Sequence, residues 1–594
     1  MPMDRRECWS HGRRTGILAC PCLFFVQTPR RRGRTKMTRG KKRFLVGLVV
    51  LIIGVVAAIK IYRRLPSRAL LVLDVGGPID EQRPVGGQPV AARSATLLHD
   101  LTDAIDTARD DSRITGLVVK IAPLGAGWGK VQELRAHLLE FRKSKKPNIC
   151  YLGEDFSGNR EYYLATACDQ VWLVPTAALG VTGLLSQSLF VRGTLDRLKI
   201  YPDLYHIAEY KTAANLFTEK RYTAAHREMA ESLLRSALEQ YVSGVAQARH
   251  LDRAQLDSLL QRGPYLAAEA LSHHFVDRLA YWDEVHKVFE EKNGEWRPVS
   301  LSRYLKEVKN DGAAKLAVVH ATGTIETGNS GWSLFDGFVM GSDTVAADLR
   351  RAREDDDVKA IILRVDSPGG SAVASEIIRR EVDLARAKKP VVISMSDVAG
   401  SGGYWISMSG SKILAEPTTL TGSIGVVFGK FNLAGLYDLL GLSTDHLTTS
   451  ENATLFWNQQ NFSAAQREQV LRFMQDIYAN FTKGVAEGRK MSVEAVDKIG
   501  KGRVWTGAQA RELGLVDEVG DFSRALAAAK ELAKIDAKTK VRLERFPKEA
   551  PWWKRWLNQE ESQANALQGI TSELRRLARA PQSFQVRMPD LAIR

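Results

Sequence analysis

The sequence predicts an α/β protein made of two copies of one domain, carried behind a single N-terminal membrane helix. Three observations predict it. Short apolar runs alternate with amphipathic stretches of helical period. The two halves of the body match each other at a nearly constant offset, the mark of an internal duplication. An uncharged apolar run precedes both halves. At 594 residues, with 44% apolar and 26% charged, the chain is longer than one domain and has a globular composition.

The leader, residues 1–43, holds 13 of the 84 Lys and Arg beside only Asp4 and Glu7. That block accounts for most of the net charge of +16, so the body does not read as a nucleic-acid binder. The leader itself reads as disordered. Met37 opens MTRGKKRFLVGLVV, a compact start for a membrane protein, and residues 1–36 read as an upstream extension. Phe44 to Ile59 is sixteen uncharged residues. With Lys60 snorkelling, the segment 44–62 approaches the roughly 20 residues that a spanning helix needs. The alternative is a cleaved signal peptide, for which Lys60-Ile61-Tyr62-Arg63-Arg64 is a poor cleavage site. Positive charge is heavier before the run than after it, which places the N-terminus in the cytoplasm and the body outside the inner membrane.

The duplication is arithmetic. RALLVLDVGGPI at 68–79 resembles AKLAVVHATGTI at 314–325, an offset of 246. TARDDSRITGLVVKI at 107–121 resembles RAREDDDVKAIILRV at 351–365, an offset of 244. Pro175 and Gly180 match Pro417 and Gly422 at 242, and Val276-Asp277 matches Val516-Asp517 at 240. The expected copies are 68–310 and 314–550, followed by a tail, 551–594. In the second copy Leu316–His320, Ala360–Val365 and Val391–Met395 read as strands. Ser371–Ala387 and Ala464–Gly488 read as helices. In such folds, sites collect at the C-terminal ends of strands. The tail carries Pro551-Trp552-Trp553-Lys554-Arg555-Trp556, suited to a lipid surface or to capping a core. Of five cysteines, Cys150 and Cys168 stand alone in the body, and their spacing allows a disulfide without indicating one.

One serine has the setting of a nucleophile. Ser401 follows a β-branched apolar run within Gly400-Ser401-Gly402-Gly403, and Tyr404-Trp405-Ile406 reads as the start of a helix. The bland alternative is a Ser-Gly-Gly turn that only reverses the chain. A serine needs a base. The second copy offers two histidines, His320 in a core strand and His446 in an irregular stretch. Comparison of the copies offers another. At an offset of 242, Ser401 corresponds to Asn159, so the first copy lacks the serine. The first copy has Lys211 where the second, near Ser450-Glu451-Asn452-Ala453, has no lysine. A symmetric pair of sites reduced to one composite site leaves this pattern. Lysine serves as a base when burial lowers its pKa. Asp366-Ser367-Pro368-Gly369-Gly370 can aim backbone N–H groups into a pocket, as an oxyanion site requires. Thr421-Gly422-Ser423 can supply a hydroxyl that orients the lysine. No phosphate-binding G-x-x-x-x-G-K-[ST] and no H-E-x-x-H occurs.

Taken together, Ser367-Pro368-Gly369-Gly370-Ser371, Ser401-Gly402-Gly403-Tyr404-Trp405, Leu420 to Gly425, Tyr210-Lys211 and Arg503 to Gly507 resemble the signal peptide peptidase A family in its long, duplicated form. The resemblance covers about 68–545 plus the anchor. It implies a tandem Clp protease/crotonase-like fold and a membrane-anchored Ser-Lys endopeptidase of the bacterial inner membrane, with a periplasmic body. It implies Ser401 as nucleophile, Lys211 as general base and Ser423 as the residue that holds the lysine. Gly369 and Gly370 become the oxyanion donors. Expected partners are signal-peptide remnants and similar apolar peptides, membrane lipid and further copies in a homotetramer. Neither metal, cofactor nor nucleic acid is implied. The rival is a non-catalytic membrane scaffold or acyl-thioester binder on the same fold.

Overall fold

The computed structural model describes residues 65–83, 95–333, 337–548, 585–588 and 592–593, with isolated positions 40 and 48. The basic leader, the expected anchor 44–62 and the tryptophan segment 551–556 lie outside the described residues. Among the described residues no helix is long and apolar enough to cross a membrane.

The first copy contributes β1 (Ala69–Asp80), β2 (Ile114–Gly125), β3 (Asn148–Leu152), β4 (Gln170–Leu173), β5 (Tyr201–Ile207), β6 (Arg278–Leu279) and β7 (Pro298–Ser300). Its two helices that matter below are α1 (Trp128–Arg142) and α2 (Ala224–Arg249). The second contributes β8 (Ala314–Thr322), β9 (Val358–Ser367), β10 (Gly369–Ser371), β11 (Val391–Gly400), β12 (Lys412–Ala415), β13 (Leu420–Gly422), β14 (Val426–Asn432), β15 (Glu518–Val519) and β16 (Val541–Phe546). With them come α3 (Ala372–Arg386), α4 (Gly402–Trp405) and α5 (Ala464–Arg489). A last strand, β17 (Gln585–Arg587), lies near the C-terminus.

The same sheet is built twice. The first copy runs β6-β4-β3-β2-β1-β7 and the second β15-β12-β11-β9-β8-β16, with every one of these pairs parallel. Central strands buried on both faces need continuous apolar sequence, and β9 (VKAIILRVDS) and β3 (NICYL) have it. Each copy closes its own apolar core, one around Leu117, Leu134 and Tyr241, the other around Ile361, Ile378 and Phe481.

The repeat extends to single bonds. α2 and α5 are each 26 residues long. Thr223 and Ser463 cap their first turns, and His250 and Lys490 end them in the left-handed region at φ 54° and 55°. Tyr162 Oη donates to Phe275 O at 2.8 Å, and Tyr404 Oη to Leu515 O at 2.9 Å. Arg249 pairs with Asp277 and Arg489 with Asp517. Cys150 and Cys168 form a disulfide within the first copy, with Cα atoms 5.7 Å apart.

Many contacts join the copies, and three of them set the joint. β5 pairs antiparallel with β14, from Tyr201↔Asn432 to Ile207↔Val426. Arg364 of the second copy donates to Glu81 and Glu133 of the first at 2.9 and 2.7 Å, all three buried. The amides of Gly127 and Lys130, at the start of α1, donate to the Asp397 carboxylate at 2.9 and 2.8 Å. A carboxylate of the second copy thus occupies the helix N-terminus at the turn that, in the first copy, corresponds to Gly369-Gly370.

Candidate active site

Ser401 follows directly on β11, which runs five residues beyond its expected end at Met395 and delivers the serine at the strand's C-terminal edge. Its amide donates to Gly422 O at 2.7 Å. Its backbone sits at φ 55°, ψ −112°, a conformation that costs a non-glycine residue about 1–3 kcal/mol and is retained where the surroundings enforce it. The helix expected after it is a single turn, α4. A dipole needs aligned peptides, so the help expected from a helix N-terminus is smaller than the sequence suggested.

Lys211 reaches this serine from the first copy. It stands just before a 3₁₀ turn, Thr212–Ala214. Its Nζ lies within hydrogen-bond distance of Ser401 Oγ at 2.6 Å, Ser423 O at 2.9 Å and Ser423 Oγ at 3.1 Å. Both residues belong to one chain, so no neighbouring chain is needed to bring them together. Ser401, Lys211 and Ser423 are each 0% exposed. Burial without a compensating carboxylate lowers the Lys211 pKa well below its ordinary value. The amine is therefore biased towards its neutral form, as a proton acceptor requires.

The lysine is held by a lattice of backbone bonds. Tyr210 N–H donates to Lys501 O at 2.9 Å, Gly502 N–H to Ile424 O at 2.7 Å, and Ser423 N–H to Arg503 O at 2.7 Å. Gly502 has φ +78°, and a Cβ there would lie 2.4 Å from Lys211 N, so only glycine lets the two loops meet. The Arg503 guanidinium lies over the rings of Tyr210 and Trp505, 4.8 and 4.3 Å from their centroids. It also forks onto both carboxylate oxygens of Glu228 at 2.6 and 2.8 Å. Sequence reasoning quoted Arg503 only within a motif and missed Gly502 and Glu228. Their partners are distant in the chain, and nothing local announces them.

The other expectations fare differently. The Gly369 amide donates to Ser367 Oγ at 3.1 Å, so one of the two amides expected at an oxyanion site has a partner within its own turn. Gly370 adjoins the nucleophile: a Cβ on Gly402 would lie 3.2 Å from Gly370 N. His320 is buried in β8 beside a small cavity lined by Glu81, Arg364 and Arg545. Burial lowers its pKa to about 4, and it makes no bond to Ser401. His446 lies against Trp457, ring centroids 4.0 Å apart and planes tilted by 50°, in an exposed segment. Asn159, the counterpart of Ser401, donates to Gly183 O at 2.8 Å as a structural amide. Among the described residues no group of three or more His, Cys, Asp and Glu is placed to hold a metal ion.

An amine and a hydroxyl in contact, the amine's pKa lowered by burial and both shielded from bulk water, can carry out nucleophilic acyl transfer. Comparison with known proteins agrees. The family model described as Peptidase family S49 matches residues 140–295 and 383–536, once in each copy. The chain is 36% identical over 497 residues to Protease 4 of Salmonella typhi, covering 79% of each protein. It is 32% identical over 493 residues to the chloroplastic serine protease SPPA of Arabidopsis thaliana, covering 81% of this chain and 72% of that one. A putative signal peptide peptidase SppA of Enterococcus faecium is 33% identical over 242 residues, 40% of this chain and 69% of its own length.

Proposed function

Since the chain belongs to peptidase family S49 in its long, duplicated form, and is a serine protease, we propose that it is a Ser-Lys endopeptidase that degrades cleaved signal peptides and similar apolar segments at the bacterial inner membrane. The observation that carries the dyad is the 2.6 Å contact between Lys211 Nζ and Ser401 Oγ in a buried pocket. The repeat 68–310 supplies the base and the repeat 314–550 the nucleophile. Neutral Lys211 takes the proton of Ser401 Oγ as that oxygen attacks the substrate carbonyl. The Gly370 amide stabilises the oxyanion, a contribution of about 3–4 kcal/mol for one such donor. The lysine ammonium then protonates the leaving amine, and water, deprotonated by the same lysine, releases the acyl group from Ser401. Ser423 holds Lys211 on the line of attack through its hydroxyl and carbonyl oxygens.

Segment 44–62 anchors the chain, and the body faces the periplasm. The Cys150–Cys168 disulfide suits an oxidising compartment. The name of the Enterococcus faecium relative supports the substrate class. A homotetramer is supported by exposed leucines in the segments that the duplication leaves without a counterpart pairing. The counterparts of β5 and β14 at the 242 offset, residues 443–449 and 184–190, expose Leu447, Leu189 and Leu185 at 101%, 73% and 59%.

Cleavage of a detergent-solubilised apolar peptide by wild type, Ser401→Ala and Lys211→Met tests the dyad. Both variants are expected to lose activity by about 10³-fold or more. A Lys211→Met enzyme that retains wild-type rates would refute the assignment of the base.

A further inference from the structure

Lys211, Ser401 and Ser423 are sealed from solvent, yet a protease nucleophile has to meet its substrate. What seals Ser401 includes the chain's own end. β17 pairs antiparallel with β10, as Gly369↔Arg587, Gly370↔Val586 and Ser371↔Gln585. On its other side Gln585 pairs with Val427 of β14. The segment thus fills a slot one strand wide between two strand edges, one of which carries Gly370. Such a slot is the shape of an extended peptide, held by main-chain bonds whatever its sequence.

Side-chain contacts add specificity. The Met588 amide donates to Pro368 O at 2.7 Å. Its side chain, 5% exposed, packs with Met229 and Leu233 of the first copy and Val504 of the second. It lies beside the nucleophile: a Cβ on Gly400 would be 2.6 Å from Met588 Sδ. Glycine before Ser401 therefore leaves room for a side chain entering this pocket. The residue after Met588 in the sequence is Pro589. A proline nitrogen carries no hydrogen and is locked in a ring, so the bond after Met588 is a poor one to attack. A segment that fits the groove but resists cleavage acts as a competitor of substrate.

We propose that residues 585–588 are a peptide ligand of the chain's own active-site groove, occupying it as a cleavage-resistant competitor that substrate must displace. This rests on the reading of Ser401 as nucleophile, and the test separates the two. Full-length wild type, Met588→Glu and Ser401→Ala are compared on a quenched-fluorescent apolar peptide. A buried charge should expel the segment, so Met588→Glu is expected to raise kcat/KM about tenfold or more, carried by a lower KM, because fewer molecules have the groove filled. The synthetic peptide 583–594, added to Met588→Glu, should inhibit competitively, and the same peptide with glutamate at 588 should not.

Ser401-dependent cleavage with an unaltered KM in Met588→Glu, and no inhibition by the added peptide, overturns the proposal. Absence of Ser401-dependent cleavage in every protein counts against the proposed function instead. The tail is then judged by hydrogen exchange in Ser401→Ala: slow exchange of the amides of 585–588 supports its seat in the groove, and exchange at the rate of a free peptide overturns it. The same readout decides the matter if Met588→Glu fails to fold.

Discussion

Lys211 determines how the site responds to pH. The rate should rise with pH as the amine loses its proton, through a pKa well below the usual lysine value of about 10.4. A kcat/KM profile measures it, and control by a group near 6.5 would point to histidine. The stability has a definite sign too. In the window between the lowered folded pKa and the unfolded one, the unfolded chain binds the proton and the folded chain does not. Wild type therefore gains stability as pH rises towards about 10.4, relative to Lys211→Met, which has no such group. Denaturant midpoints of the two proteins across that range check it. Gly502→Ala is the complementary test, because it pushes on the lysine backbone while leaving Ser401 untouched. Displacement of a catalytic group by about 1 Å costs about 100-fold, and a fall of that order in kcat is expected. Lysine was legible as a candidate base only by comparing the copies. Its burial depends on Gly425, Gly502 and Ser423, which no local pattern ties to position 211.

At the scale of elements, β11 and β5 do the positioning. β11 was readable from Val391-Val392-Ile393, and it extends to Gly400 because Ser367 and Ala399, then Gly400 and Gly422, keep the pairing going. Of the small residues that looked like a turn, Gly400 closes the strand, Ser401 makes the turn, and Gly402 and Gly403 open α4. β5 was not read as a strand at all. Its partner, β14, lies in the other copy, and period alone does not reveal a strand whose edge is satisfied so far along the chain. Asp203 in β5 accepts from Phe462 N–H and Tyr205 Oη, each at 2.7 Å. Asp203→Ala leaves the Phe462 amide unpaired in a buried setting, which should cost about 1–3 kcal/mol. Denaturant unfolding measures that loss.

For the whole molecule, the offset arithmetic anticipated a repeated architecture, and the strand order repeats twice. What it could not give is how the copies face each other, because the residues that weld them find their partners hundreds of positions away in the other copy. Arg364 is one such residue. Arg364→Ala leaves Glu81 and Glu133 buried without their cation, and removal of one partner of a buried ion pair costs about 3–5 kcal/mol. Thermal unfolding should show both copies weakened together. Reduction of Cys150–Cys168, which spans 18 residues, should cost about 3 kcal/mol in the first copy alone. Leu447→Asp should lower the mass of the assembly seen by light scattering, since it places a charge where a fully exposed leucine stands.

Placing base and nucleophile on different copies also fixes when the chain can act. Lys211 leaves the ribosome long before Ser401, and the loop of Gly502 that clamps the lysine follows later still. On the proposed mechanism, a nascent or prematurely terminated chain has no cutting centre, however well its first copy folds. On that mechanism the newly made molecule cannot cut its surroundings until translation is nearly finished.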